Sequence, residues 1–176
     1  VQHIGFYMDN IICVHWGTKY PVKFVNILYS MCKRNMKRPF NFYCLTDEPN
    51  NAFAERVKPI RIPDPQFDGW WNKMHLYDKR LEIEGNILYL DLDVVIVNKL
   101  DDFFTQYLDD DFLCIRDFGQ PTTTINSSVQ RYNLKYHSFI YDDYMKNKSK
   151  YDGIHGDQNV ITDMMFRHQM THILPD

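Results

Sequence analysis

The decapeptide NILYLDLDVV, Asn86 to Val95, restricts the choice of folds more than any other stretch of the chain. Ile87, Leu88, Tyr89 and Leu90 follow one another without a polar break, as in a strand that belongs to the core. Two carboxylates, Asp91 and Asp93, then appear where that core should end. Side chains alternate along an extended strand, so the two carboxylates share one side if the extension continues.

The surrounding pattern repeats strand, helix, strand. Asn10–Trp16 is a β-branched run closed by Gly17 and reads as a first buried strand. Pro21 suits a first helical position, and Val22, Val25, Leu28, Tyr29 and Cys32 recur at helical spacing behind it. FNFYCLTD predicts a second strand ended by DEPN, and VKPIRIP a third. Trp71, Met74, Tyr77 and Leu81 mark another helix, separated by Gly85 from the NILYLDLD strand, and VVIV reads as a further strand. Beyond it, DFFTQYL predicts a short helix, DFLCIRD a strand and GQPTTTINSS a polar loop. After Gly156 a last helix carries Val160, Ile161, Met164, Met165 and His168 on one stripe. This alternation predicts one layered α/β domain over residues 1–176, with a mainly parallel central sheet flanked by helices. In such sheets ligands bind beyond the carboxyl ends of the strands, where Gly17, Asp47, Asp91 and Asp93 all fall.

Bulk properties exclude several classes. With 44% hydrophobic and 15% aromatic residues the chain can bury a core. A net charge of −3 argues against a dedicated nucleic-acid binder. The basic cluster Lys33–Arg38 reads either as a phosphate patch or as the solvated last turn of a helix, where cations suit the dipole, and the second reading is preferred. Cys13, Cys32, Cys44 and Cys114 form no CxxC pair and fit free thiols in a reducing compartment, so the expected location is cytoplasmic. No apolar run reaches the roughly 18–20 residues that span a bilayer, and no signal peptide is visible, although the sequence opens on Val1.

Two carboxylates held close repel each other unless a cation lies beside them. Mg²⁺ or Mn²⁺ is the natural partner, because both take oxygen ligands and are shared between a few carboxylates and a diphosphate. The rival reading is a strand that ends in solvent with two loop aspartates.

In the segments CVHWGTKY, FNFYCLTDEP, GWWNKMHLY, NILYLDLDVVIV, INSSV and GIHGDQNVI, taken in this order, the chain resembles nucleotide-sugar-dependent glycosyltransferases of the Rossmann-like GT-A fold, close to bacterial and viral transferases related to family 8. The resemblance implies a DxD motif and a donor that is a UDP-sugar, with a GDP-sugar as the lesser alternative. It implies that the loop Trp16, Gly17, Thr18 to Tyr20 covers the nucleotide and that Asp47 hydrogen-bonds the base. Lys73 would approach the diphosphate, with Trp70 and Trp71 shaping the pocket. Asp91 would contact ribose and metal, and Asp93 would bind the metal directly. Asn126 and Ser127 would line the donor-sugar pocket, and Asp157 and Gln158 would face the sugar and the acceptor, a glycan, protein or lipid-linked hydroxyl. Each has a plainer rival: Trp16 and Trp71 as core, Lys73 as a solvated helix residue, Asp157 as an N-cap, His155 as a loop histidine. His3, His15, His137 and His172 receive no role.

The resemblance also brings a departure. Such transferases commonly continue further and supply a late histidine as a third metal ligand, whereas this sequence stops at THILPD. The expectation is either a domain of a larger chain or a metal held by the DxD pair, diphosphate and water. Two other functions compete with transfer: a non-catalytic nucleotide-sugar-binding module, and a DxD phosphohydrolase, whose motif ordinarily opens the first strand rather than a later one.

Overall fold

The computed structural model describes residues 8–109, 111–119, 124–151, 156–168 and 171–174, with Thr171–Ile173 as backbone only. His3 and His155 therefore lie outside the described residues, as does the side chain of His172. Strand β1 (Asp9–His15) is followed by helix α1 (Lys23–Asn35), strands β2 (Phe40–Thr46) and β3 (Val57–Arg61), a 3₁₀ helix over Gly69–Tyr77, and strand β4 (Asn86–Leu90). Then come α2 (Asp102–Thr105), β5 (Phe112–Arg116), β6 (Ile125–Asn133), α3 (Leu134–His137), α4 (Phe139–Lys146), α5 (Lys148–Tyr151), α6 (Asp157–His168) and β7 (Thr171–Ile173).

The strands form one seven-stranded sheet in the order β3-β2-β1-β4-β6-β5-β7. β3, β2, β1 and β4 run parallel, β6 is antiparallel to both β4 and β5, and β7 is parallel to β5. The expected α/β architecture with a mainly parallel sheet is therefore the observed one. Alternation along β1 explains why the sheet needs cover on both faces. Ile11 and Cys13 pack with Val25, Leu28 and Cys32 of α1, while Ile12 and Val14 face the 3₁₀ helix, α4 and α6. β4 divides in the same way, Leu88 and Leu90 to one side, Ile87 and Tyr89 to the other. Pro59 lies in β3, an edge strand, where a missing N–H does least harm. Leu28 is fully buried on the α1 face, so Leu28→Ala is expected to cost about 2–5 kcal/mol, read as a lower urea midpoint at unchanged slope.

Four expectations need correction. The stretch expected as an α-helix through Trp71, Met74 and Tyr77 is a 3₁₀ helix. Those three residues recur every third position, the period of a 3₁₀ turn rather than 3.6. Asp78 then ends it, accepting from the Arg80 N–H at 2.9 Å to start a separate short turn that ends at Leu81. VVIV is not a strand: the Val94 N–H bonds to the Asp91 carbonyl at 3.2 Å, the chain turns, and Val95 and Val97 are exposed. INSS is not a loop but the start of β6, a strand whose polar residues hid it. His168 does not join the buried stripe of α6; it is exposed and its ring packs beside Phe139. Elsewhere the differences are small. α1 begins at Lys23, two residues after Pro21, whose carbonyl accepts from the Phe24 N–H. Lys33 and Arg34 occupy its last turn, as expected of a solvated cluster, and Arg38 beyond it pairs with Asp9. All four cysteines are free and buried.

Candidate active site

The parallel strands β2, β1 and β4 end at one edge of the sheet, and the residue or loop that follows each end contributes to a single region. After β1 the chain turns through Gly17, whose φ of +60° is a left-handed conformation that suits glycine. The Gly17 N–H donates to Asp47 Oδ2 at 2.9 Å, so the loop after β1 is tied to the residue after β2. The other oxygen of Asp47, Oδ1, is buried and makes no hydrogen bond among the described residues. The same loop reaches β4, since the Tyr20 hydroxyl donates to Asp93 Oδ2 at 2.8 Å.

A cavity of about 160 Å³ opens at this edge, its lining including Trp16, Tyr20, Trp70, Lys73, Asp91 and Asp93. Asp91 and Asp93 thus face one space, though not for the reason expected. The strand stops at Leu90 and Asp91–Val94 form a turn, so a continued extension is not what brings them together. Lys73 extends from the 3₁₀ helix, 2.9 Å from Asp91 Oδ1 and 3.6 Å from Asp157 Oδ2. Burial works against its charge, but Asp157 and Asp91 outweigh that and hold its pKa above the usual lysine value. Tyr89 donates its hydroxyl to Asp91. Burial, with the Asp91 charge beside it, pushes the Tyr89 phenol well up, so it remains a donor.

Behind Lys73, α6 presents Asp157, only 6% exposed. Burial raises its pKa above the usual carboxylate range, against the opposing charge of Lys73 and the Ser127 side chain. Its Oδ2 makes no hydrogen bond among the described residues. Gln158 is held at both ends: its Oε1 accepts from the Ser127 N–H at 3.1 Å and its Nε2 donates to Asp117 Oδ2 at 2.8 Å. Asn126 turns its Oδ1 back to the Ser128 N–H at 2.8 Å.

Among the predicted site residues, the structure brings Trp16, Tyr20, Lys73, Asp91 and Asp93 to the cavity, and joins Gly17 with Asp47 beside it. Asp157 meets it through Lys73, and Ser127 and Gln158 form an adjoining network on β6 and α6. Thr18 is exposed and outside the cavity lining, and Trp71 stacks on Tyr144 as part of the core. Three residues escaped the sequence reading. Tyr89 was within reach, two positions before Asp91 on the same side of a strand. His15 looked like any core residue of β1, and Asp117 had no local signal, its partner being distant in sequence.

Asp91 and Asp93 give a divalent cation two oxygen donors from one cavity. No group of three His, Cys, Asp or Glu residues gathers around an ion site among the described residues. That donor set fits Mg²⁺ or Mn²⁺, which are often held by one or two carboxylates with phosphate oxygens and water completing the shell. Larger clefts lie elsewhere, one of about 400 Å³ beside Glu84, Asp109 and Lys135 and one of about 730 Å³ beside Lys33, Arg38 and Lys58. Neither joins paired carboxylates to a buried cation.

This arrangement, four parallel strands joined to a mixed edge and covered on both faces, is shared with solved structures of glycosyltransferases of the GT-A type. The chain superposes on the glycosyltransferase GlyE of Streptococcus pneumoniae TIGR4 in its apo form with a TM-score of 0.72 and 18% identity, over 96% of this chain and 45% of that one. It also superposes on the galactosyltransferase LgtC in complex with donor and acceptor sugar analogs, at a TM-score of 0.64 and 14% identity over 88% and 70% of the two chains. An active-site mutant of LgtC gives 0.66 and 13%. The chain spans less than half the length of GlyE. No protein-family model matches the sequence, and no curated protein matches it. At these identities the likeness establishes the fold.

Proposed function

We propose that this chain is the GT-A domain, over residues 1–176, of a metal-dependent glycosyltransferase that moves a sugar from a nucleoside diphosphate sugar, UDP-linked, to a hydroxyl acceptor. The observation that carries the reading is the meeting of Lys73, Asp91 and Asp93 in one cavity walled by Trp16, Tyr20 and Trp70, at the edge where a parallel sheet binds ligands. Transfer of a glycosyl group leaves a diphosphate whose negative charge rises as the bond breaks, so groups that are positive before reaction begins are the ones that help. Lys73 is such a group, already held charged by its neighbours. Asp91 and Asp93 would hold Mn²⁺ or Mg²⁺, which when bound adds Lewis-acid stabilisation of the same leaving group.

Asp157 and Gln158 serve the sugar side. In an inverting reaction Asp157 takes the proton of the acceptor hydroxyl, a task favoured by its raised pKa. In a retaining reaction Asp157 or the carbonyl oxygen of Gln158, which keeps a second lone pair, stabilises the positive sugar centre. The ring faces of Trp16 and Trp70 at the cavity provide apolar walls for base or sugar. Four buried free thiols favour a reducing, cytoplasmic setting. No helix among the described residues is long and apolar enough to cross a membrane.

A thermal-shift series tests the reading. UDP and UDP-sugars are expected to raise the melting temperature more with Mn²⁺ than without it, the rise growing with ligand concentration. No shift with any nucleoside diphosphate would refute the assignment, and a shift without turnover would leave a binding module. Phosphate release from simple monoesters would point instead to a phosphohydrolase.

A further inference from the structure

His15 closes β1 and is only 3% exposed, yet it touches neither the cavity nor Asp93. Its Nε2 lies 2.9 Å from the Tyr20 carbonyl oxygen and its Nδ1 3.3 Å from Thr46 Oγ1. A carbonyl only accepts, so Nε2 carries the proton. In the neutral ring Nδ1 is then an acceptor, and the Thr46 hydroxyl is its donor. Thr46 Oγ1 in turn accepts from the Glu48 N–H at 3.1 Å. With the ring neutral the links run Glu48 N–H to Thr46, Thr46 O–H to His15, His15 N–H to the Tyr20 carbonyl. Tyr20 carries the line onward, because its hydroxyl donates to Asp93 Oδ2 while Phe24 holds its ring edge-on at 5.2 Å. The chain runs from the end of β2, through the end of β1, to the carboxylate after β4.

We propose that His15 and Thr46 are positioning residues that act through Tyr20 to aim the Asp93 carboxylate, and so set the affinity of the site for a divalent cation. The proposal rests on the reading of Asp91 and Asp93 as cation ligands. Asp93 is exposed, and a free carboxylate on a turn rotates. The Tyr20 hydroxyl holds its Oδ2 and leaves Oδ1 outside that bond, on a residue that lines the cavity. Tyr20 can do this only while its backbone is pinned, and the buried imidazole pins it. Loss of a hydrogen bond made to a ligating group from outside commonly costs about 10–100-fold in metal affinity.

The test is calorimetric titration of MnCl₂ into the protein, alone and with UDP present, together with thermal melts to verify folding. Tyr20→Phe keeps the ring and removes the last donor; His15→Leu removes the pin. Each is expected to weaken Mn²⁺ binding by about tenfold, the lower end of what loss of such a partner costs. His15→Gln can place an amide N–H where Nε2–H lies, and is expected to recover most of the affinity. The Tyr20→Phe, His15→Leu double variant is expected to bind no more weakly than either alone, because both cut one line; independent structural damage would add. Folded single variants that bind Mn²⁺ as the wild type does, or losses that sum, overturn the proposal and leave the function standing. A wild-type protein that takes up no Mn²⁺ with or without UDP overturns both. If His15→Leu fails to fold, Tyr20→Phe and Thr46→Val decide the matter.

Discussion

Asp93→Ala is expected to lose sugar transfer by on the order of 10²–10³-fold, the scale set by removing one group that stabilises developing charge. Asp93 is exposed on the turn after β4, so its removal leaves the core intact and the melting temperature of the free protein close to that of the wild type. What disappears is the second of the two carboxylates proposed to hold the cation. The additional stabilisation that Mn²⁺ gives in the presence of UDP should vanish with it. The measurement is UDP release from whichever UDP-sugar gives the largest thermal shift, at saturating and at chelated Mn²⁺. Wild-type turnover in this variant, or a turnover equally fast with the metal chelated, would remove the DxD pair from the mechanism.

Lys73→Met is expected to destabilise the fold at the site itself. Lys73 is the cation between Asp91 and Asp157, and its side chain is 15% exposed. Without it a buried carboxylate keeps its desolvation penalty and loses the charge that offset it, which in fully buried pairs costs about 3–5 kcal/mol. The open cavity solvates this cluster in part, so about 2–3 kcal/mol is expected near neutral pH. The loss has a definite pH dependence. Burial raises the Asp157 pKa in the folded state, so the native protein binds that proton more tightly than the unfolded chain. The stability owed to Asp157 is thus greatest in acid and falls as pH rises through the raised value. Removing Lys73 takes away the charge that holds this pKa down and widens the window. Lys73 itself has a raised pKa, so its own contribution is present at neutral pH and is lost only on the alkaline side of the usual lysine value. The penalty of Lys73→Met should therefore be smaller at an acidic pH than at neutral pH, as Asp157 protonates. Urea unfolding at the two pH values measures it, and equal losses would mean that Lys73 does not compensate Asp157.

Much of the scaffold was legible because burial leaves a periodic trace. β1, β2 and β4 are apolar runs covered on both faces, and α6 shows its stripe through Val160, Ile161, Met164 and Met165. β6 escaped because Asn126, Ser127, Ser128 and Gln130 satisfy one another and their neighbours by hydrogen bonds, which a composition reading takes for solvent exposure. VVIV misled in the opposite sense: its β propensity is real, but a turn at Asp91–Val94 carries it away from the ladder. The carboxyl-edge residues Gly17, Asp47, Asp91 and Asp93 could be expected from strand ends alone. Lys73 and Asp157 needed the family likeness, and the links through His15 and Asp117 needed three dimensions. A single histidine in an apolar strand carries no mark of what its ring nitrogens meet.

The antiparallel seam between β4 and β6 divides the labour of this domain by position in the chain. The Asp91 N–H donates to the Ser128 carbonyl across that seam, so the end of β4 is aligned directly by β6. The residues proposed to grip the diphosphate, Lys73, Asp91 and Asp93, precede β6 in sequence, and the polar residues proposed to face the sugar, Asn126, Ser127, Asp157 and Gln158, lie on or after it. On the proposed function, a late segment exchanged for one that recognises a different sugar would leave the early, diphosphate-holding segment in place, because the ladder from Asn86–Asn133 to Leu90–Val129 keeps the two in register.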